Sequence, residues 1–150
     1  MKRRVFSVAL VIFLLASAVV VAQAAQKEVI YHGDGGYTVV TVTKEVTEGR
    51  AANYSRGEKE YEHFTGDDIL QWKAALDATF TYNGSSATCT KVNGLNVTIY
   101  DSSWSVGSKS TSKSGNTAYG YLTMERSILG GTQGVPVTLA LTCDRNGNLS

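Results

Sequence analysis

The segment from Leu70 to Tyr82 reads LQWKAALDATFTY and decides the fold class. Seven apolar residues recur there at every second position, with mainly polar residues between them. This period of two is typical of a half-buried β-strand. A helix is the alternative, because Ile69, Trp72 and Leu76 would share one helical face. The alternation continues from Thr79 to Tyr82, which a helix does not explain, so we predict a long strand with a bulge or bend.

Working outward, the chain shows further extended runs separated by turn residues. Strands are predicted at Glu28 to His32, Tyr37 to Val46, Glu58 to Phe64, Ala87 to Val92, Leu95 to Tyr100, Trp104 to Ser110, Thr117 to Ile128 and Val135 to Cys143. Turns or loops are predicted at Gly33 to Gly36, Glu48 to Gly57, Thr65 to Asp68, Asn83-Gly84, Asn93-Gly94, Lys109 to Asn116 and Gly130-Gly131. Pro136 is expected at the start of its strand, where a missing N–H is tolerated. The pattern predicts an all-β protein, an antiparallel β-sandwich, with a small barrel as the alternative.

The first 25 residues have the features of a secretory signal peptide. Lys2-Arg3-Arg4 is a positive start, Val5 to Val21 is apolar, and Ala22-Gln23-Ala24 is a small-x-small cleavage pattern. The alternative is an uncleaved membrane anchor, because a bilayer needs roughly 20 apolar residues. We predict a signal-peptide helix at 1–25, cleaved after Ala24 or Ala25, and one β-sandwich domain at 26–150. The product would be secreted, without a membrane span.

Charge and composition narrow the classes of partner. Without the leader the chain has 11 Lys and Arg against 13 Asp and Glu, a net charge near −2. A near-neutral chain gives no reason to expect nucleic acid or an anionic membrane as a partner. The same part contains 16 Thr and 15 Gly, which disfavour helices, and Thr suits strands.

The chain has two cysteines, Cys89 and Cys143, both after the leader. A pair of cysteines in an exported protein predicts a disulfide. The alternative is two buried free thiols. Zinc is disfavoured, because there is no C-x-x-C spacing and no nearby histidine to complete a tetrahedral site.

A search for catalytic patterns gives no catalytic residue, no metal ligand and no cofactor. The two histidines are His32, in a glycine-rich turn, and His63, in a strand whose Glu60 and Glu62 point to the opposite face. We interpret both as solvated polar residues near strand ends. No G-x-S-x-G, H-E-x-x-H or Walker pattern is present in the sequence.

Two acidic clusters are interpreted as turns. Asp67-Asp68 are adjacent, whereas a glycosidase needs two carboxylates held at a fixed gap. Asp144, Asn146 and Asn148 have the spacing that opens a calcium loop, but this cluster has one charged ligand and no bidentate glutamate follows it. We therefore predict a turn after the last strand.

Aromatic residues supply the candidate binding surface. Tyr119 and Tyr121 alternate with apolar residues, so both phenols would lie on one face if Leu122 and Met124 are in the core. Such a pair could stack on sugar rings or fill a partner's pocket, and we take it as the candidate ligand-binding site for a glycan or a protein surface. The alternative is that the tyrosines only pair across strands. Trp72 is interpreted as a core residue, as is Trp104.

The second half of the chain, residues 79–150, resembles a group of small secreted proteins of Gram-positive, Clostridia-type bacteria. The resemblance is in short motifs, namely Phe80-Thr81-Tyr82-Asn83-Gly84, Ala87-Thr88-Cys89, Asp101-Ser102-Ser103-Trp104, Ser110 to Asn116 with Ala118 and Gly120, Leu139 to Cys143 and Asn146-Gly147-Asn148-Leu149-Ser150. It implies export and an all-β domain, and it supplies no activity. The charged segment from Gly33 to Asp68 is not typical of this group.

These observations favour a secreted or surface-associated, non-catalytic binding module. A secreted hydrolase acting on carbohydrate or cell-wall material is the alternative, and a concave pocket that contains a histidine or carboxylate pair would favour it. A membrane-active β protein is a minor alternative, since transmembrane strands also alternate.

The leader leads to a first testable prediction. When the protein is exported by an expression host, N-terminal sequencing should begin at Ala25 or Gln26, because the cleavage pattern ends there. Retention of residues 1–24 in the exported product would contradict the secreted interpretation.

Overall fold

The computed structural model describes residues 25–45 and 53–150, and these residues form eight β-strands. The strands are β1 (Gln26–Tyr31), β2 (Tyr37–Glu45), β3 (Tyr54–Phe64), β4 (Leu70–Tyr82), β5 (Ala87–Ile99), β6 (Trp104–Ser114), β7 (Thr117–Ile128) and β8 (Gly131–Thr142). The predicted signal peptide, up to residue 24, lies outside the described residues, as does the first half of the predicted loop from Glu48 to Gly57.

The strands form two antiparallel sheets, one in the order β1-β2-β3-β4-β5 and the other in the order β6-β7-β8. The sheets face one another and are not joined into a closed barrel. The predicted all-β sandwich is therefore confirmed, and the small-barrel alternative is wrong.

The core lies between the sheets and is centred on β4. Its alternate residues from Trp72 to Phe80 are all buried, as the sequence pattern predicts. From the other sheet, Leu122 and Met124 of β7 and Leu139 and Leu141 of β8 join the same cluster. Burial of a leucine, phenylalanine or methionine side chain contributes roughly 1.5–3 kcal/mol relative to exposure, so Leu76 and Phe80 make β4 a major source of stability.

The long strand β4 contains the predicted bulge, at its beginning. His63 pairs with Trp72 and Phe64 pairs with Leu70, so Gln71 is the extra residue. Its backbone carbonyl accepts hydrogen bonds from the N–H groups of Tyr100 and Asp101. The bulge thus fixes the start of β4 against the loop that leads into β6.

The predicted turn at Asn93-Gly94 is wrong, because β5 continues through these residues. Asp77 pairs with Gly94 and Ala78 pairs with Val92, which makes Asn93 the extra residue of a second bulge. The Asn93 amide donates to Asp77 Oδ1 at 2.9 Å and to Thr79 Oγ1 at 3.0 Å. These bonds hold Asn93 against β4, so a dipeptide typical of turns serves as a bulge in a strand.

The predicted polar loop from Lys109 to Asn116 is also wrong, since β6 extends to Ser114 before the chain turns. Its partner β7 pairs with it along this whole stretch. Lys109 Nζ donates to the Leu95 carbonyl at 3.0 Å, and Lys113 Nζ donates to the Thr90 carbonyl. Serine and lysine side chains carry no apolar alternation, so the sequence pattern alone does not show this strand.

The strand β3 begins at Tyr54, so the predicted loop is wrong from Tyr54 to Gly57. Arg56 explains the difference, because its guanidinium forms two hydrogen bonds with the Asp77 carboxylate of β4, at 3.1 and 2.5 Å. Glu45 of β2 lies 3.5 Å from the same guanidinium. Paired charges across three strands therefore support a segment that composition alone assigns to a loop.

Pro136 lies in the middle of β8, and not at its start as expected. The strand β8 is at the edge of its sheet and pairs only with β7 among the described strands. An edge strand tolerates proline, because one side of its backbone has no ladder to break.

The predicted disulfide is wrong, because Cys89 and Cys143 are buried free thiols. Cys89 lies in β5 and Cys143 follows β8, so they belong to different sheets. Each Sγ is directed at a nearby carbonyl of its own segment, that of Lys91 for Cys89 and that of Asp144 for Cys143. Burial raises the pKa of Cys143 to about 11 and raises that of Cys89, so both thiols stay protonated at neutral pH.

The C-terminal residues close one end of the sandwich. Cys143 forms a bridge with Leu149, whose side chain is buried in the core. Ser150 and Thr142 exchange backbone hydrogen bonds. Ser55 Oγ donates to the Gly147 carbonyl at 3.2 Å, which attaches the tail to β3.

Two glycines with the same φ allow a test of this closure. Gly147 and Gly84 both have φ of 82°, but a Cβ at Gly147 would overlap the Tyr82 ring whereas one at Gly84 meets open space. Gly84→Ala should lower the free energy of unfolding by roughly 1–2 kcal/mol, the cost of a left-handed conformation. Gly147→Ala should cost at least about 1 kcal/mol more because of the overlap.

Urea unfolding of the two variants measures this difference. Equal losses of stability would show that the tail yields without cost, contrary to the closed end described above.

Candidate functional site

The two sheets differ in width, and this difference creates an open groove. In the other sheet, β8 packs on β3 and β4, whereas β6 packs on β5. The inner faces of β1 and β2 therefore extend beyond β8. A cavity of about 410 Å³ lies between this overhang and β8.

We call this cavity the histidine–tryptophan groove. Its polar lining comes from the β1–β2 end of the large sheet and its apolar wall comes from β8. The lining residues are Ile30, His32, Asp34, Thr38, Tyr61, His63, Trp72, Trp104, Val135, Pro136, Val137 and Thr138.

Strand register brings the polar residues of the groove together. Thr38 of β2 lies opposite His63 of β3, and His63 lies opposite Trp72 of β4. His32 follows the end of β1, where the chain turns back towards β2. Residues directly opposite in antiparallel strands share one face, so this row points into the groove.

A hydrogen-bonded chain connects the two imidazoles through one hydroxyl. His32 Nε2 lies 2.8 Å from Thr38 Oγ1, and His63 Nδ1 lies 3.3 Å from the same oxygen. The hydroxyl has one proton to donate, so it donates to one imidazole and accepts an N–H from the other. Thr38 is only 4% exposed, so this chain fixes the orientation of both rings from below.

The ring of His63 lies within an aromatic cluster. It stacks on Trp72 at a centroid distance of 5.1 Å and meets the Trp104 ring edge-on at 5.5 Å. Trp104 is held in turn, because its Nε1 donates to Gln71 Oε1 at 3.3 Å and the Arg126 guanidinium lies 5.7 Å from its ring. The bulge at Gln71 thus positions one side of the site.

The second indole has a different environment. Trp72 Nε1 is buried and has no hydrogen-bond partner among the residues that the structure describes. A buried N–H without a partner carries a cost of roughly 1–3 kcal/mol. The packing of Trp72 in the core and against His63 has to exceed this cost.

The charge of the groove is set by Asp34 and the imidazoles. A hydrogen bond from the Gly36 backbone N–H, 3.1 Å long, is the main cause that lowers the pKa of Asp34. Burial is the main cause that lowers the pKa of His63, and the nearby His32 and Arg126 lower it further, whereas Asp34 opposes them. At neutral pH the groove therefore holds an ionised Asp34 and a neutral His63.

This arrangement suits binding by stacking and hydrogen bonds. Two indoles, Tyr61 and the aliphatic side chains of β8 offer apolar area, while His32 and Asp34 offer polar groups at the mouth. Small-molecule sites in proteins combine a mainly apolar lining with a few placed polar groups in this way.

The tyrosines singled out in the sequence lie on a different surface. Tyr119 and Tyr121 lie on the outer face of the small sheet, with ring centroids 6.0 Å apart and planes inclined by 10°. Tyr121 is 42% exposed and Tyr119 is half-buried, and Leu122 and Met124 are buried beneath them. Neither tyrosine lines the histidine–tryptophan groove, so their role in binding stays a prediction.

The interpretation of the histidines as solvated residues is wrong for His63. This residue is half-buried between Trp72 and Trp104, although it does face away from Glu60 and Glu62 as predicted. The site depends on the register of three strands, which places His63 between Thr38 and Trp72. No single sequence motif contains these three residues.

Both acidic clusters are turns, as predicted. Asp68 lies in the β3–β4 connection with φ of 62° and accepts a hydrogen bond from Tyr37 Oη at 2.7 Å. The Asp144 carboxylate accepts hydrogen bonds from the backbone N–H groups of Asn146 and Asn148 and from the Asn148 amide. Its oxygens are therefore used within the turn.

Among the described residues, no three His, Cys, Asp or Glu side chains lie close enough together to hold a metal ion. Residues 25–45 and 53–150 also contain no helix long and apolar enough to cross a membrane. No protein-family model, curated protein or solved structure matches the chain.

The environment of His63 predicts how stability depends on pH. Since the pKa of His63 is lower in the folded protein than its ordinary value of 6.5, the unfolded chain binds more protons as the pH falls through that value. The free energy of unfolding should therefore decrease as the pH falls from about 7.5 to 5.5. His63→Asn keeps a donor and acceptor near Thr38 but does not titrate, so its decrease should be smaller.

Urea unfolding at a series of pH values checks this expectation. The difference between the two proteins isolates His63, because all other titrating groups are shared. The same slope in both proteins would show that the fold does not oppose protonation of His63.

Proposed function

We propose that the protein is a secreted or surface-associated, non-catalytic binding module whose ligand occupies the histidine–tryptophan groove. The observation that carries this proposal is the open cavity of about 410 Å³ with an aromatic end and an apolar wall. Export is supported by the leader at residues 1–25 and by the resemblance of residues 79–150 to small secreted proteins.

The groove favours a ligand with a flat, weakly polar body and hydroxyl or amide groups. A sugar ring of a glycan and a side chain on a protein surface both meet this description, because each can pack on Tyr61 and the indoles. His32 is exposed at the mouth and would then supply a hydrogen bond to the polar groups.

A secreted hydrolase is the second candidate, since the groove contains a histidine pair close to Asp34. The hydroxyl that both imidazoles contact is Thr38 Oγ1, and a nucleophile in a hydrolase needs such a base. However, Thr38 is 4% exposed, and its hydroxyl is hydrogen-bonded to both rings. A substrate carbonyl or acetal carbon would have to reach a buried oxygen, so the binding function ranks first.

Intrinsic fluorescence provides a direct test, because the two tryptophans of the chain, Trp72 and Trp104, both lie at the groove. Glycan-array screening and a pull-down would identify probes, and each hit is then titrated while tryptophan emission is followed. Binding in the groove should change the emission.

Two variants assign the binding surface. His32→Ala removes a polar group at the mouth of the groove and should weaken binding about tenfold, or about 1.4 kcal/mol. The matched control is the double variant Tyr119→Ser, Tyr121→Ser on the outer face of the small sheet, which should bind normally. The opposite pattern would assign binding to the tyrosine face and reject the groove. Cleavage of a bound glycan that disappears in His63→Asn would favour the hydrolase.

A further inference from the structure

The two sheets have four edge strands, β1, β5, β6 and β8, and three of them carry a bulge or a proline that opposes pairing with another chain. An exposed edge strand presents unpaired N–H and C=O groups, and proteins protect such edges with lysine, proline or bulges. The four edges of this protein differ clearly in such protection.

Lysines and bulges protect β5 and β6. Two register shifts interrupt β5, and its Thr90 and Leu95 carbonyls already accept hydrogen bonds from Lys113 and Lys109 of β6. The strand β6 supplies these lysines and has its own register shift between Val106 and Ser108. Proline protects β8, because Pro136 lies in the middle of the strand.

The edge strand β1 contains one exposed lysine, Lys27, but no proline and no register shift. Its register with β2 is unbroken from Gln26 to Tyr31, and all six residues are exposed. Three consecutive residues are apolar or aromatic, with exposures of 45% for Val29, 39% for Ile30 and 80% for Tyr31. Among the described residues, no strand pairs with its other side.

We infer that β1 pairs antiparallel with β1 of a second copy of this chain, with Val29 opposite Val29 of that copy. In an antiparallel pair, two directly opposite residues both direct their backbone N–H and C=O groups either towards the other strand or away from it, and this direction alternates along each strand. A pair of identical strands related by a two-fold axis must therefore be centred on one residue. Centring on Lys27 or Glu28 would place like charges opposite each other, which is destabilising. Centring on Val29 pairs all residues from Lys27 to Tyr31 without such a conflict.

An aromatic row supports this register. Tyr31, Tyr37 and Phe64 lie side by side on the outer face of the large sheet, with centroid distances of 6.0 and 5.0 Å. The row ends at the edge, at the exposed ring of Tyr31. In the inferred pair Lys27 of the second copy lies opposite Tyr31, so its ammonium would continue the row by a cation–π contact.

The pairing also completes the groove. A two-fold axis perpendicular to the sheet keeps the inner faces of both copies on the same side. Ile30 lines the open side of the histidine–tryptophan groove, and Glu28 of the second copy lies opposite it in this register. The inner faces of β1 and β2, which β8 does not cover, then join those of the second copy into one cleft with a β8 strand at each end. The dimer itself is testable without any ligand, so its failure and that of the proposed binding function are distinguishable.

The first experiment measures mass in solution by light scattering during size-exclusion chromatography. The wild-type protein should be a dimer at about 100 μM, and Val29→Lys should raise the dissociation constant at least tenfold by placing two ammonium groups opposite each other. The matched control is Val39→Lys, the same change on the same face and in the same cross-strand row of β2, which should stay dimeric. A monomeric wild type, or a dimer that survives Val29→Lys, overturns the proposal.

A second experiment tests the register and does not depend on weakening the dimer. Directly opposite residues have Cα atoms about 4.5–5.5 Å apart, so Val29→Cys should form an intermolecular disulfide under a mild oxidant. Lys27→Cys is the control, because its copies would lie roughly 13 Å apart. The native thiols are buried and do not interfere. Cross-linking of Lys27→Cys with none of Val29→Cys overturns the inference.

Discussion

The packing of alternate β4 residues against β7 and β8 is the contact on which the rest of the structure depends. Trp72, Leu76 and Phe80 lie in one line on β4, and small residues between them let the second sheet approach closely. Gly120 of β7 contributes to this fit, because a Cβ there would lie only 3.3 Å from Leu76. Because β4 is the fourth of five strands, the small sheet packs near the β5 side of the large sheet and leaves β1 and β2 uncovered. The groove is a consequence of this uncovered region.

The sequence predicts those parts of the fold that depend on apolar alternation. Examples are the strand β4, the strand β7 from Thr117 to Ile128 and the burial of both tryptophans. In each case large apolar side chains are stable only in the core. The predictions are wrong where polar contacts decide the structure. Asn93-Gly94 is a bulge because Asp77 and Thr79 hold the asparagine. The strand β6 extends to Ser114 because it pairs with β7, and its lysines donate to carbonyls of β5.

The candidate site was missed for a related reason. His63 and Trp72 face each other because the β3–β4 ladder keeps one register from Tyr54 to His63, and a one-residue shift of that ladder would send one of them to the other face. The bulge residue Gln71, which accepts a hydrogen bond from Trp104 Nε1, is itself held by backbone hydrogen bonds from Tyr100 and Asp101, which no local pattern in β4 contains. The free cysteines are a similar case, because spacing and compartment carry no information about which sheet each thiol joins.

The closed C-terminal end has a consequence for how the molecule can be attached to a surface. Ser55, which is bonded to the tail, and His63 in the groove are eight residues apart on β3, or roughly 26 Å. The tail and the groove are therefore at opposite ends of the sandwich. A tether joined after Ser150 would therefore hold the molecule with the histidine–tryptophan groove directed away from the support. The beginning of β1 lies level with Lys59, midway between these two ends, so immobilisation there would place the support at the side of the sandwich.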